Sequence, residues 1–318
     1  MKILVTGVAG FIGYSLAKTL LEKKYEVVGI DNLNSYYSKN LKIDRLKLLR
    51  KFKNFLFIKI DITREKELKK ISNINFKYVF HFAAQPGVRY SLLNPDLYYK
   101  TNVIGFQKLF ENINYKSLKK IFYASSSSVY GDQKKFPISE EAILNAKNPY
   151  GVSKKINENY ADILSYKYNI PFIGLRFFTV YGEWGRPDMF IIKLSKSLKD
   201  KNFFYLNNSG DHYRDFTYID DVVEICCRLK NIKFPNKNVI FNICSGYQVN
   251  ILTLTTKIKK YFFSDPKLVK KISANKADVY KTHGNNQKIK KYLKTYNFKT
   301  IDYGLKKTMN WFMRNFNY

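Results

Sequence analysis

A chain of 318 residues, 45% hydrophobic and 17% aromatic, can bury a large core, which excludes general disorder. Its formal charge of +31 raises nucleic acid or an anionic membrane as partners, but the lysines are scattered along the chain rather than gathered in one block. No apolar run reaches bilayer length, and Cys226, Cys227 and Cys244 have neither metal-ligand nor disulfide spacing, so a cytoplasmic protein with reduced thiols is expected.

The predicted elements begin with an apolar strand over residues 2–6, which makes the N-terminus a first strand rather than a leader peptide. A helix over 12–23 follows, then strands at 26–30, 55–60, 78–82 and 120–125, separated by helical stretches. The basic, aromatic-interleaved stretch from Lys47 to Lys59 reads as amphipathic helix followed by buried strand. Continuous apolar strands alternating with helices predict an α/β fold, a Rossmann-type doubly wound parallel sheet. A helix carrying Tyr150 and Lys154 precedes a further strand at 171–176. Beyond residue 177, turn residues such as Gly182, Gly185, Pro187 and Gly210 alternate with short helices. The expected division is a dinucleotide-binding domain over 1–176 and a smaller α/β substrate lobe over 177–318, interleaved with the first.

Gly7-x-x-Gly10-x-x-Gly13 lies between the first strand and the first helix, the context in which such a motif binds a dinucleotide. Gly7 permits the tight turn, Gly10 lets the pyrophosphate approach the backbone, and Gly13 lets helix pack on strand. The helix N-terminus then faces the phosphates. Asp31 ends the second strand, where a carboxylate accepts ribose hydroxyls and repels a 2′-phosphate, favouring NAD over NADP. Asp61, after the third strand, is either an adenine contact or a cap for a helix beginning near Arg64.

Tyr150 and Lys154 are four residues apart on a predicted helix and so share one face. An ammonium beside a phenol favours phenolate, which suits the tyrosine to proton transfer during hydride exchange. The pair alone is weak in a chain this rich in Lys and Tyr. The deciding context is the hydroxyl cluster from Tyr123 to Gly131 (YASSSSVYG) at the carboxyl end of a strand, the edge at which doubly wound sheets bind ligands.

Together these elements resemble the extended short-chain dehydrogenase/reductase family of nucleotide-sugar enzymes. Further matching stretches are His81 to Gln85 (HFAAQ), Thr101-Asn102, Arg176 to Gly182 (RFFTVYG) and Arg214 to Asp221 (RDFTYIDD). The resemblance implies Tyr150, Lys154 and Ser126 as the catalytic set, Ser126 polarising the reacting oxygen, with the substrate-side Ser127 next in line for that role should the register slip. It adds Phe11, Ile12, Asn32, Ile62, Ala83, Ala84 and Asn102 to the cofactor-binding set, and assigns Arg214 to the nucleotide diphosphate. Arg89 either reaches sugar or phosphate or is solvated. Arg176 and His81 are expected to be structural, Tyr130 and Tyr181 to pack, and Asp220 and Asp221 to cap a helix beginning near Val222. A homodimer built on the Tyr150 helix is also implied.

Within the family, dehydratases and uronate decarboxylases carry an acidic residue just before the Val-Tyr-Gly; here it is Ser128. Without that carboxylate, elimination across C5 and C6 lacks its acid/base pair, and C4 epimerisation is the simplest remaining chemistry. Thr179 and the run to Met189, together with Asp31 to Tyr37, the segment from Leu41 to Leu46 and Gln85 to Ser91, resemble the UDP-glucuronate 4-epimerase branch. Arg186 and Thr179 would then grip the uronate carboxylate. The family's Pro-Gly-Asp-Val stretch is replaced by Lys276-Ala-Asp-Val279, which leaves the nucleotide contacts around Asp278 open. Rival readings are a 4-epimerase of another UDP-hexose or UDP-N-acetylhexosamine, a net dehydrogenase releasing NADH, and an NAD-type fold recruited to RNA. Intact Tyr150, Lys154 and Ser126 argue against the last.

Overall fold

Short apolar strands and the helices between them build the first half of the chain in strict alternation. The computed structural model describes residues 1–262, 266–273 and 279–316. In order come β1 (Lys2–Thr6), α1 (Phe11–Glu22), β2 (Glu26–Asp31), α2 (Lys39–Leu49), β3 (Phe55–Lys59) and α3 (Glu65–Ser72). Next are β4 (Tyr78–His81), α4 (Val88–Leu93), α5 (Pro95–Tyr98), α6 (Gly105–Asn112), β5 (Lys120–Ser126), α7 (Pro149–Tyr168) and β6 (Phe172–Phe177). The remainder holds β7 (Thr179–Tyr181), α8 (Phe190–Lys199), β8 (Phe204–Leu206), β9 (Tyr213–Tyr218), α9 (Ile219–Asn231) and β10 (Asn238–Ile243). It closes with β11 (Gln248–Asn250), α10 (Ile251–Lys259), β12 (Val269–Lys271), α11 (Gln287–Leu293) and α12 (Ile301–Asn315).

Seven strands form one parallel sheet in the order β10-β6-β5-β4-β1-β2-β3. Ile3 and Val5 face one buried cluster while Leu4 faces the other, because helices cover both sides. That is why these strands read as unbroken apolar runs. β3 is different: it is the edge strand and only half-buried, so the expected buried strand over 55–60 is exposed along its free side. β10, from beyond residue 177, closes the opposite edge against β6. A second sheet has the order β11-β9-β7, and β12 pairs with β8.

The order of the main sheet reverses between β1 and β4, and a crevice opens at their carboxyl ends. α7 is aimed there by its own caps. Asn148 accepts the Gly151 N–H at 2.9 Å, Pro149 occupies the first turn, and Asn169 ends the helix in the left-handed conformation at φ 51°. Buried Glu158 on α7 pairs with Arg176 on β6 at 2.7–2.8 Å and fixes the helix against the sheet. Arg176 is thus structural. So is His81, whose Nδ1 lies 2.8 Å from the Thr6 hydroxyl.

A second expectation fails at α9. α9 begins at Ile219, and neither Asp220 nor Asp221 is its cap. Both lie in the first turn, where their charge still complements the helix dipole. Asp221 is fully buried and instead accepts from Tyr296 and Lys299. Among the described residues, no helix is long and apolar enough to cross a membrane.

Candidate active site

Gly7 adopts φ +68°, and a Cβ there would lie 2.8 Å from the Ala83 nitrogen. The close approach of two chain segments at the sheet's reversal therefore requires glycine. A Cβ on Gly13 would meet the Gly7 carbonyl oxygen at 2.2 Å, so the turn and α1 pack backbone on backbone. Gly10 precedes α1 and offers no side-chain cap, which leaves the first N–H groups of the helix available to an anion.

These residues border a cavity of about 450 Å³ that runs along the carboxyl edge of the sheet. Phe11, Ile12, Asp31, Asn32, Ile62, Ala83 and Ala84 all line it. Asp31 is nearly buried, its carboxylate accepting the Ala9 N–H at 3.1 Å and the Leu33 N–H at 2.8 Å. Burial pushes that carboxyl above its ordinary pKa, against the pull of the Lys42 ammonium. A glycine turn, an uncapped helix N-terminus and a terminal carboxylate on one cavity wall fit a dinucleotide.

Farther along, Ser126 ends β5, and its Oγ accepts the Ser128 N–H at 3.1 Å. The Ser126 hydroxyl also donates to the Ser128 hydroxyl at 3.2 Å, and Ser126 and Tyr150 line the same cavity. Lys154, one turn on from Tyr150, is almost wholly buried and donates to the Ala124 carbonyl at 2.8 Å. Its Nζ lies 6.0 Å from the centre of the Tyr150 ring. Burial brings the Lys154 ammonium down to about 8, with the Glu158 charge opposing the shift. Burial raises the Tyr150 phenol, while the neighbouring Ser126 hydroxyl and the Arg186 charge act to lower it. An oxygen placed between Ser126 and Tyr150 would meet one donor and one proton-transfer group.

Thr179, Arg186 and Arg214 line the same cavity, as does Ser127. Arg186 is already paired: its Nε and Nη2 hold both carboxylate oxygens of Asp188. Arg214 donates to the carbonyls of Tyr213 and Tyr280 at 2.8 and 3.1 Å.

Other expected residues sit elsewhere. Arg89 is exposed on α4 and does not line the cavity, although Gly87 and Val88 do. Asp61 accepts from the N–H and hydroxyl of Thr63 and from Asn32, bordering a neighbouring cavity of about 360 Å³. It is not the helix cap, which is Arg64. Asn102 is buried behind the wall, bonded to the backbone of Gln85 and to Ser153 of α7, and so braces the loop carrying Ala83 and Ala84. Asp278 lies outside the described residues.

Sequence reasoning also passed over residues that the fold brings in. Lys42 on α2 lines the cavity and donates to the side chain and carbonyl of Asn34 at 2.8 and 2.9 Å. Buried Arg45 donates to the Ala9 carbonyl, the Tyr37 hydroxyl and the Trp184 carbonyl, tying the glycine turn to the Arg186 loop. The available signal was cationic residues on the inner face of an otherwise ordinary helix.

The model of the NAD-dependent epimerase/dehydratase family matches residues 3–244. UDP-glucuronate 4-epimerase of Thermodesulfobacterium geofontis is 36% identical over 319 positions, covering 98% of this chain and 96% of that protein. Among solved structures, the UDP-glucuronic acid 4-epimerase from Bacillus cereus in complex with UDP-glucuronic acid and NAD has a TM-score of 0.90 at 30% identity, covering 99% of this chain and 100% of that one. UDP-glucose 4-epimerase from Thermotoga maritima, with UDP-glucose, has a TM-score of 0.88 at 30% identity, covering 99% of each chain. With a glycine turn, a hydroxyl-bearing strand end and a Tyr-Lys helix meeting in one cavity, and a family match spanning most of the chain, this protein belongs to the NAD-dependent epimerase/dehydratase family.

Proposed function

We propose that the chain is an isomerase that interconverts UDP-glucuronate and UDP-galacturonate at C4 with bound NAD. The observation that carries this reading is Tyr150, Lys154 and Ser126 set beside the glycine turn, with Arg186 and Thr179 on the wall of the same cavity. Full-length similarity to UDP-glucuronate 4-epimerases supports it.

Tyr150 takes the proton of the 4-hydroxyl and later returns it. Ser126 holds the reacting oxygen, and the Lys154 ammonium favours phenolate. Gly7, Gly10 and Gly13 would hold NAD against the glycine turn, with Asp31 on its ribose, and the bound cofactor would supply the hydride acceptor and donor for C4. The sugar turns over between oxidation and reduction, which inverts the centre. Arg214 holds the diphosphate, and Ser127 and Thr179 hold the sugar. Oxidation of a uronate at C4 creates a β-keto acid prone to losing carbon dioxide. Arg186 and Thr179 grip the carboxylate and keep the C5–C6 bond out of line with the carbonyl π-system.

Thr179, Arg186 and Arg214 all come from beyond residue 177, which supports reading 177–318 as the substrate lobe. We read the assembly as a homodimer through α4 and α7, where Leu93, Ile163 and Tyr166 are exposed at 78%, 59% and 91%. Sedimentation should give the mass of two chains, and of one chain after Ile163→Glu. The high positive charge serves to steer an anionic nucleotide rather than to bind nucleic acid.

The test is incubation of purified protein with UDP-glucuronate and chromatography of the products. UDP-galacturonate is expected; a UDP-pentose, or no turnover, would overturn the reading. The likeness to UDP-glucose 4-epimerase favours a second reading, a UDP-hexose epimerase. Turnover of UDP-glucose in preference to UDP-glucuronate would establish it instead.

A further inference from the structure

The geometry points to Asp188 as a positioning residue that presets Arg186 for the substrate carboxylate, with Tyr36 as its support. This rests on the uronate reading above. Asp188 holds one edge of the guanidinium, taking Nε at 3.0 Å and Nη2 beside it. Nη1 makes no hydrogen bond among the described residues, and Arg186 lines the cavity. A bidentate pair fixes the plane of the guanidinium as well as its place.

Tyr36 holds that pair in turn. Its hydroxyl donates to Asp188 Oδ2 at 3.2 Å, and its ring lies 5.8 Å from the guanidinium carbon. The same ring packs on Tyr90 at 5.2 Å. Gly87, at φ +104°, leaves room for the hydroxyl, since a Cβ there would lie 2.3 Å from it. Three loops, following β2, β4 and β7, therefore meet at one point on the cavity rim.

The reason for such a tether lies in the substrate. A UDP-uronate brings two anionic groups into one cavity, and its diphosphate carries the greater charge. A free guanidinium would be drawn to either. Pairing with Asp188 cancels the bare charge of Arg186 and limits its reach, which reserves Nη1 for a carboxylate presented at a fixed place. Asp188 thereby contributes to selectivity without touching the reacting atoms.

The experiment compares the wild-type protein with Asp188→Asn and Tyr36→Phe, each loaded with NAD and assayed on UDP-glucuronate and UDP-glucose. The 4-keto-pentose nucleotide is measured beside the epimer. It forms when the C5–C6 bond breaks, carbon dioxide leaves, the electron pair passes to the C4 carbonyl as an enolate, and C5 takes a proton. For Asp188→Asn, KM for UDP-glucuronate should rise about tenfold, the loss of roughly one charge-assisted hydrogen bond, with no comparable rise for UDP-glucose. The ketopentose fraction should rise with it. Tyr36→Phe, which keeps the ring, should move both readouts the same way by a smaller factor. A fall in KM for UDP-glucuronate would make Asp188 a mere competitor and overturn the inference. So would an unchanged ketopentose fraction in both variants. Failure of the wild-type protein itself to turn over UDP-glucuronate would instead overturn the uronate reading and this inference with it.

Discussion

Lys154 has little water around it, and the Ala124 carbonyl at 2.8 Å is the hydrogen-bond acceptor that the fold gives its ammonium. With burial bringing it down to about 8, it is charged at neutral pH and loses that charge as pH rises through this value. The Lys154 charge 6.0 Å from the Tyr150 ring is then lost, while that of Arg186 remains. kcat/KM should therefore fall above about pH 8, and Lys154→Arg, charged throughout, should move the fall to higher pH in a pH–rate profile. Tyr150→Phe should lower kcat by about 10² to 10⁴ while leaving NAD affinity, measured by calorimetry, nearly unchanged. Both residues were legible in the sequence, because a four-residue spacing on a helix places them on one face wherever the helix goes. Arg89 was not. The sequence leaves it open between sugar and solvent, and it is an exposed residue of α4 outside the cavity lining, although the preceding Gly87 and Val88 line it.

The glycine turn works as an element, since its three glycines only make sense together. Gly13→Ala places a methyl 2.2 Å from the Gly7 carbonyl oxygen, a backbone atom that cannot swing aside. The turn and α1 must then part. The substitution should cost about 1–3 kcal/mol in urea unfolding and abolish most NAD binding, although the residue touches no reacting atom. Strand and helix positions in this half were legible because hydrophobic period is local. Where expectation slipped, neighbours decided. β3 carries an apolar sequence yet borders the sheet, and Asp221 is taken up by Tyr296 and Lys299 instead of a cap. Asn102 matched the family pattern, and what the fold adds is three hydrogen bonds through which it joins the loop after β4 to α7.

Across the whole molecule, stability and site share the buried reversal of the sheet. His81 lies there with 2% exposure, and burial, helped by the Lys154 charge, brings its pKa down to about 3. The fold thus favours neutral imidazole, whereas the unfolded chain protonates it near its ordinary value of about 6.5. The stability tied to this group is complete above about 6.5 and is lost progressively as pH falls toward 3. Tm of the wild-type protein should drop steeply between pH 6.5 and 4, and that of His81→Asn less steeply. By itself the sequence determined the alternation of strands and helices, the glycine turn, the acidic residue that follows it and the Tyr-Lys pair, because each depends on spacings of a few residues. The tertiary structure alone decided that Lys42 reaches the cavity wall and Arg45 the glycine turn, that β10 closes the sheet, and that Tyr36, Gly87 and Asp188 converge on Arg186. Those arrangements join segments up to about 150 residues apart, and no local periodicity encodes a contact made by the packing of loops at the end of a sheet.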